Sequence, residues 1–241
     1  LFMIPGMLMT IFAKEPHRAE APKSLKASVI EPFTEFINRA GIKHALLVLL
    51  FILLYKLGDS MATALATPFY IDMGFSNTDI GTIVKGSGLV MQILGGFIGG
   101  IWMVKVGINR GLWVFGMVQL VTILGFAWLA HAGPFETIGT IERGMLAIVI
   151  GGEALGVGLG TVAYVAYMAR ETNPAYTATQ LALFTSLSAV PRSIFNALTG
   201  GMVEALGWEM FFYVCTLLAI PGMLLLFKVA PWNSKTKLVD A

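Results

Sequence analysis

Charged side chains are scarce in this chain of 241 residues: they make up 12% of it, about half of what a soluble domain carries. This scarcity excludes an ordinary water-soluble enzyme. Lysine and arginine together number 16 against 14 acidic residues, so the chain lacks the basic surface of a nucleic-acid-binding protein. A single cysteine, Cys215, excludes an internal disulfide and any multi-cysteine metal site. No HExxH, GxSxG or Ser/His/Asp pattern is present, and we expect no catalytic residue, metal or cofactor.

Long apolar segments take the place of the missing charge, because 56% of the residues are hydrophobic. Six such segments reach or exceed the roughly 20 residues that cross a bilayer. They predict an all-α membrane protein in which a six-helix bundle occupies residues 44–229, with the segments at 44–71, 78–104, 111–131, 143–169, 177–205 and 208–229. Residues 1–13 are apolar but shorter, so we interpret them as the end of a truncated transmembrane helix.

The loops between the segments predict an orientation in the membrane. Twelve lysines and arginines lie in the linker 14–43, in alternate loops, at Lys228 near the end of the last segment and in the tail 230–241, whereas the opposite loops hold only Arg143. Because basic loops stay in the cytoplasm, both ends of the six-helix unit are predicted to be cytoplasmic. Within the linker, spaced apolar residues such as Phe33 and Phe36 predict a short interfacial helix. Pro32 would be costly inside that helix, so a kinked segment or a plain linker is the alternative.

Five ionisable residues lie inside the predicted spans, where a charge costs at least about 2.5 kcal/mol unless it faces a cavity or a partner. They are Lys56, Asp59, Lys85, Glu153 and Arg192. Lys56 and Asp59 are three residues apart, which allows an ion pair on one helix. Asp59 or Glu153 is the candidate proton acceptor, and the excess of one positive charge favours an anionic substrate. The alternative is that these groups form static pairs that hold helices together.

Neutral groups and small residues complete the predicted bundle. Tyr164 and Tyr167 share a helix side and, with Gln180 and Asn196, are candidate substrate contacts. Glycines recur at small-xxx-small spacing on the second and fourth segments, which permits close helix packing. The second and fifth segments both end in a Gly-Gly pair with another glycine downstream, which suggests two inverted three-helix repeats.

Several motifs resemble the carboxy-terminal half of the AmpG-type muropeptide permeases of the major facilitator superfamily. The resemblance covers nearly the whole chain and is carried by Leu54-Tyr55-Lys56-Leu57-Gly58-Asp59, Gly74-Phe75 with Ile80-Gly81 and Lys85, Ala178-Thr179-Gln180 with Ser188-Ala189-Val190 and Arg192, and Glu204-Ala205-Leu206-Gly207-Trp208. It implies that the six segments are helices seven to twelve of a twelve-helix transporter. The loop formed by Gly100, Lys105, Gly107 and Arg110 resembles the superfamily's cytoplasmic loop motif, with Val104 at the usual acidic position.

The resemblance further implies proton-driven import of anhydro-muropeptides across the bacterial inner membrane for cell-wall recycling. These substrates are disaccharides of N-acetylglucosamine and anhydro-N-acetylmuramic acid that carry a short peptide. Lys85 and Arg192 would meet substrate carboxylates, and Asp59 or Glu153 would carry the proton. The implied partners are the lipid bilayer, the glycopeptide, protons, and an amino-terminal six-helix half on the same or a separate chain.

Two other interpretations stay open at this point. A related carrier could move another bulky anion, such as acetyl-coenzyme A, through the same cationic cavity. Alternatively, the chain could be a non-transporting scaffold subunit of a membrane complex, because alternating access requires two bundles around one site.

Overall fold

A computed structural model describes the backbone of residues 25–233 and the side chains of residues 30–233. Over this range the chain is all α-helical and contains no strand, as the sequence predicts. The predicted truncated helix at 1–13, and the tail beyond residue 233, lie outside the described residues. The helices are α1 (Leu25–Ala40), α2 (Ile42–Leu54), α3 (Leu57–Ala64), α4 (Ala66–Asp72), α5 (Asn77–Asp79), a π-helix (Ile80–Ser87), α6 (Gly88–Val106), α7 (Ile108–Ala132), α8 (Thr140–Arg170), α9 (Thr177–Asn196) and α10 (Thr199–Val229).

The first predicted span is divided into three short helices. Its two breaks are at Lys56, with φ −101° and ψ 4°, and at Leu65, with φ −112° and ψ 25°. Gly58 lies directly after the first break, and a Cβ there would contact the backbone carbonyl of Cys215 on α10. This glycine therefore lets α3 approach α10 closely, which places the residues around Asp59 deep in the bundle.

The second predicted span begins with a capped turn and a π-helical segment. The Ser76 hydroxyl accepts a hydrogen bond from the Asp79 backbone amide at 3.2 Å, and the Asp79 carboxylate accepts one from the Ser76 amide at 3.2 Å. This reciprocal cap satisfies two amides that a helix start leaves without partners. The π-helical turns follow and carry Lys85 before regular α-helix resumes at Gly88.

The fifth predicted span differs most from the expectation, because 177–205 is not one continuous helix. α9 ends at Asn196, and α10 begins at Thr199 and passes through Gly207, whose φ of 75° is non-helical. Five helical stretches are long and apolar enough to cross a membrane in the described part of the chain, and α9 is not among them. Its hydroxyl, amide and guanidinium side chains explain why. The predicted inverted three-helix repeat stays a prediction.

Contacts between loops define two ends of the bundle. At the end that we call the Arg39 end, Arg39 donates to the carbonyl of Glu171 at 2.7 Å, so α1 lies beside the turn between α8 and α9. At the opposite, Arg143 end, the guanidinium of Arg143 pairs with Asp79 at 2.6 Å.

Aromatic side chains fill the interior of the bundle near the Arg143 end. Phe69 packs edge-on against Phe212 at 4.8 Å, and Phe126 stacks on Phe212 at 5.2 Å. A second apolar core lies toward the Arg39 end, around Phe51 and Tyr167. Large apolar side chains on α6, among them Phe97 and Ile101, are exposed, as expected of a surface that faces lipid or another bundle.

Candidate functional site

A cavity of about 630 Å³ lies between α2 and α3, α6, α8 and α9. Four ionisable side chains line it. Lys56 and Asp59 come from the start of α3, Glu153 from α8 and Arg192 from α9. Their convergence agrees with the physical argument that charges inside spans face a cavity or one another. The remaining polar wall consists of one amide and a set of hydroxyls: Gln92, Ser60, Thr63, Thr161, Tyr164, Thr185 and Ser188.

Lys56 and Asp59 form an ion pair within this cavity. The Lys56 ammonium lies 3.3 Å from the Asp59 carboxylate, and the two side chains are 19% and 16% exposed. Lys56 occupies the break between α2 and α3, and Asp59 lies in the first turn of α3. The break therefore aims both side chains at the same wall of the cavity, and the pair offsets the cost of burying either charge alone.

Glu153 lies on α8 across from that pair and is half-buried. It makes no hydrogen bond or salt bridge to any described residue, whereas Asp59 has a cationic partner. Glu153 lines the same cavity as Lys56 and Asp59. Glu153 is thus the acidic group of the cavity whose charge is least compensated.

The α9 wall carries Arg192, with Ser188 and Thr185 one and two turns earlier on the same helix face. Arg192 is exposed toward the open side of the cavity and forms no salt bridge with a described acid. A guanidinium in this setting offers several donors to a planar carboxylate.

Tyr164 connects two walls of the site. Its hydroxyl donates to the carbonyl of Ile52 at 2.6 Å, and its side chain lines the cavity together with Ser188. Ile52 lies in the last turn of α2, where carbonyls have no following helical amide as a donor. The break in the first span therefore creates the acceptor that Tyr164 uses.

Lys85 lies beside the main cavity rather than in it. It lines an adjoining space of about 420 Å³ together with Tyr70, Gln92 and Glu153. Since Gln92 and Glu153 border both spaces, Lys85 is on the edge of the same polar region.

Three predicted substrate contacts lie outside both spaces. Gln180 is buried at the Arg39 end, where its amide donates to Glu35 and to the carbonyl of Pro32, each at 2.8 Å. Tyr167 is fully buried, with its ring 4.9 Å from Phe51; its hydroxyl has no hydrogen-bond partner among the described residues. The two tyrosines are about 60° apart around α8, and this offset is enough for Tyr164 to reach the cavity while Tyr167 turns into the core. Asn196, at the end of α9, is one turn beyond the cavity wall.

The predicted loop motif forms the connection between α6 and α7. Gly107 has φ 83°, which a residue with a side chain adopts only under strain, and its amide caps α6 by donating to Met103 at 2.8 Å. The guanidinium of Arg110 lies 5.8 Å from the centre of the Trp232 ring. Gly100 has open space around it, and Lys105 is exposed.

Sequence reasoning missed the hydroxyl groups of the cavity. Thr63 follows Asp59 by four residues and Thr185 precedes Arg192 by seven, so helical spacing from the charged residues was the signal that could have found them. Ser60 carries a buried hydroxyl with no described partner. No group of three metal-binding side chains occurs among residues 25–233.

Comparison with known proteins gives related sequences, although no protein-family model matches the chain. A Haemophilus influenzae protein described only as uncharacterized is 51% identical over 245 residues, which cover 99% of this chain and 58% of that protein. The anhydromuropeptide permease of Escherichia coli K12 is 36% identical over 226 residues, 93% of this chain and 44% of the permease. Putative transporter AmpG 4 of Rickettsia conorii is 36% identical over 200 residues, 83% of this chain and 46% of that protein.

The chain spans about half the length of the curated relatives it matches. These similarities extend over most of the chain and agree with its all-α fold and its long apolar helices. They identify the chain as a relative of the AmpG-type anhydromuropeptide permeases.

Proposed function

We propose that this chain forms the carboxy-terminal half of a proton-coupled secondary transporter of the major facilitator superfamily. Its substrates are anhydro-muropeptides, imported across the bacterial inner membrane for cell-wall recycling. The name of the Escherichia coli relative suggests the substrate class. The observation that carries the proposal is the polar cavity with four converging charged groups inside an otherwise apolar bundle. An amino-terminal six-helix half, on the same or another chain, supplies the opposite wall.

The cationic groups of the site are the proposed contacts for substrate carboxylates. Arg192 projects from α9 without an acidic partner among the described residues, and Lys85 borders the adjoining space. Charge-assisted hydrogen bonds to a carboxylate are about twice as strong as neutral ones, which suits the peptide part of a muropeptide. Tyr164 and the hydroxyls of α9 are the proposed contacts for the uncharged sugar.

Glu153 is the proposed carrier of the coupling proton. The ionised cavity contains two cations and two anions, so its formal charge is zero, and Lys85 adds one positive charge at its edge. Protonation of Glu153 makes the region more positive and favours an anionic substrate. By reciprocity, bound substrate favours the proton, which is the thermodynamic requirement for symport. Asp59 is the second candidate, but Lys56 holds it in an ion pair at 3.3 Å.

The proposed orientation places the Arg39 end in the cytoplasm and the Arg143 end on the periplasmic side. It is supported by the excess of basic residues in the loops of the Arg39 end. The same distribution makes both ends of the six-helix unit cytoplasmic.

The test is uptake of a labelled anhydro-muropeptide into vesicles that contain the full-length protein carrying this chain. Accumulation that requires an inward proton gradient, and that excess acetyl-coenzyme A does not suppress, supports the proposal. Uptake of labelled acetyl-coenzyme A, with no muropeptide uptake, would indicate a carrier of another anion. No transport of either solute by folded protein would favour the scaffold role.

A further inference from the structure

Glu35 connects α1 to the beginning of α9 through an unusually complete set of hydrogen bonds. Its carboxylate accepts from Arg39 at 2.9 Å, from the Asn173 side chain at 2.6 Å and from the Gln180 side chain at 2.8 Å. The Gln180 carbonyl oxygen in turn accepts from the Asn173 backbone amide at 2.7 Å. One carboxylate therefore joins α1, the turn before α9, and α9 itself.

Two further contacts reinforce this junction. Arg39 donates to the carbonyl of Glu171 at 2.7 Å, which secures the turn after α8. The rings of Phe36 on α1 and Phe184 on α9 pack edge to face at 5.2 Å, next to the hydrogen-bonded groups. Polar and apolar contacts thus hold the same end of α9 against α1.

α9 also lies against α2 and α3, but few of its side chains are buried. Only three of its twenty residues are buried, namely Gln180, Phe184 and Pro191, and the first two are the residues that contact α1. At its other end the helix stops at Asn196, before α10 begins at Thr199. The two buried residues in the first half of α9 therefore both contact α1, and this junction is one of the contacts that place the helix.

An adjoining face of α9 lines the cavity through Thr185, Ser188 and Arg192. Arg192 follows Gln180 by twelve residues, or about 18 Å along the helix. A small tilt or rotation at the junction is enough to displace the guanidinium relative to the other walls. We infer that Glu35 is a positioning residue, which fixes α9 against α1 and so sets the place of Arg192 in the cavity. The consequence for transport rests on the proposed function.

The placement of α9 is tested directly by thiol labelling of the full-length protein in a background free of other cysteines, including Cys215→Ala. Ser188→Cys introduces a thiol on the cavity face, and its reaction rate with a sulfonated maleimide reports the exposure of that face. Glu35→Gln keeps the size of the side chain but removes its charge and one acceptor site. We expect the labelling rate to change about threefold or more, the size of effect that one net hydrogen bond produces.

Glu31→Gln is the matched control, because it makes the same chemical change on an exposed position of α1 that makes no described contact with α9. Asn173→Asp is the second variant: it places a carboxylate against Glu35 and should change labelling in the same direction. Equal labelling rates in Glu35→Gln, Asn173→Asp and Glu31→Gln would overturn the positioning role.

The link to Arg192 is tested by a double-mutant cycle on the KM for muropeptide uptake. If Glu35 acts through Arg192, Glu35→Gln raises KM in the parent protein and has a much smaller effect when Arg192→Gln is already present. If each substitution instead raises KM by its own factor, and the double variant shows the product of the two factors, the link is overturned. Absence of muropeptide uptake by the parent would refute the proposed function, whereas the labelling comparison would still decide whether Glu35 positions α9.

Discussion

Individual side chains in the cavity differ in how well their charges are compensated. Asp59 has Lys56 at 3.3 Å, while Glu153 has no salt bridge among the described residues. A group that must gain and lose a proton during each transport cycle needs an environment like that of Glu153, because a fixed ion pair favours the ionised carboxylate.

Glu153→Gln is predicted to abolish gradient-driven accumulation of muropeptide while substrate exchange continues. The glutamine imitates a permanently protonated acid, so binding is retained but the proton can no longer be released. Counterflow and proton-driven uptake, measured in the same vesicles, separate the two properties. Asp59→Asn is the companion variant and leaves Lys56 unpaired, so it should weaken both activities. Normal accumulation by Glu153→Gln would assign coupling elsewhere.

Tyr164→Phe is predicted to lower the free energy of unfolding by about 1–2 kcal/mol, because the carbonyl of Ile52 loses its donor in a buried setting. Tyr213→Phe is a suitable control, since this tyrosine is 40% exposed and makes no described hydrogen bond. Thermal unfolding in detergent compares the two variants. Equal stability losses would show that the Tyr164 hydroxyl contributes nothing specific.

Glu35 predicts a pH dependence at the Arg39 end. Burial opposes its ionisation, but hydrogen bonds from Asn173 and Gln180 and the charge of Arg39 outweigh this, so the pKa of Glu35 lies below its ordinary value. A lowered pKa stabilises the fold above the unfolded-state value of about 4.3, and this contribution disappears as the pH falls through the folded-state pKa.

The stability difference between the parent and Glu35→Gln should therefore be largest near neutral pH and shrink below about pH 4.3. Thermal unfolding across this range, with Glu31→Gln as the control for loss of a surface charge, measures it. A difference that grows with acidification would contradict the account.

Among the elements, the closest helix pair is α6 with α8, and glycines make it possible. A Cβ on Gly95 would contact the backbone of Leu155, and a Cβ on Gly158 would contact the carbonyl of Gln92. A Cβ on Gly96, the next residue of α6, would have only a side-chain methyl of Val162 nearby, at 3.9 Å. The small-residue pattern predicted close packing; the structure identifies which glycines are needed for it.

Gly95→Ala is predicted to destabilise the bundle by about 1–3 kcal/mol, since backbone atoms cannot yield as a flexible side chain does. Gly96→Ala should be neutral or slightly stabilising, because alanine favours a helix where space permits. The melting temperatures of the two variants test this contrast. Equal melting temperatures would refute the proposed contact at Gly95.

Helix breaks were the part of the fold that the sequence did not predict. Lys56, Leu65 and the residues after Asn196 interrupt apolar segments. Gly58 and Pro68 closely follow the first two breaks, but a one-dimensional hydropathy pattern does not mark where a helix is interrupted. The same limitation explains why Gln180 was wrongly assigned to the cavity. Its polarity suggested a substrate contact, but its amide donates to Glu35 and to the carbonyl of Pro32.

At the scale of the whole molecule, sequence reasoning predicted the all-α membrane fold and the charged residues that the fold brings together. The free-energy cost of burying a charge was enough to predict that Lys56, Asp59, Glu153 and Arg192 face a cavity, because this cost does not depend on the details of packing. The role of α1 required the structure, since Glu35 and Gln180 are 145 residues apart in the chain. The apolar outer face of α6 agrees with a bundle surrounded by lipid and a second half.

The most direct test of the central proposal is the movement of protons with the substrate. The full-length protein is reconstituted into vesicles without any imposed gradient, anhydro-muropeptide is added outside, and the external pH is recorded. The account predicts that the external medium becomes more alkaline as substrate and protons enter together, and that Glu153→Gln loses this signal while still exchanging substrate. Muropeptide entry without a pH change in the parent protein would contradict proton coupling through this cavity.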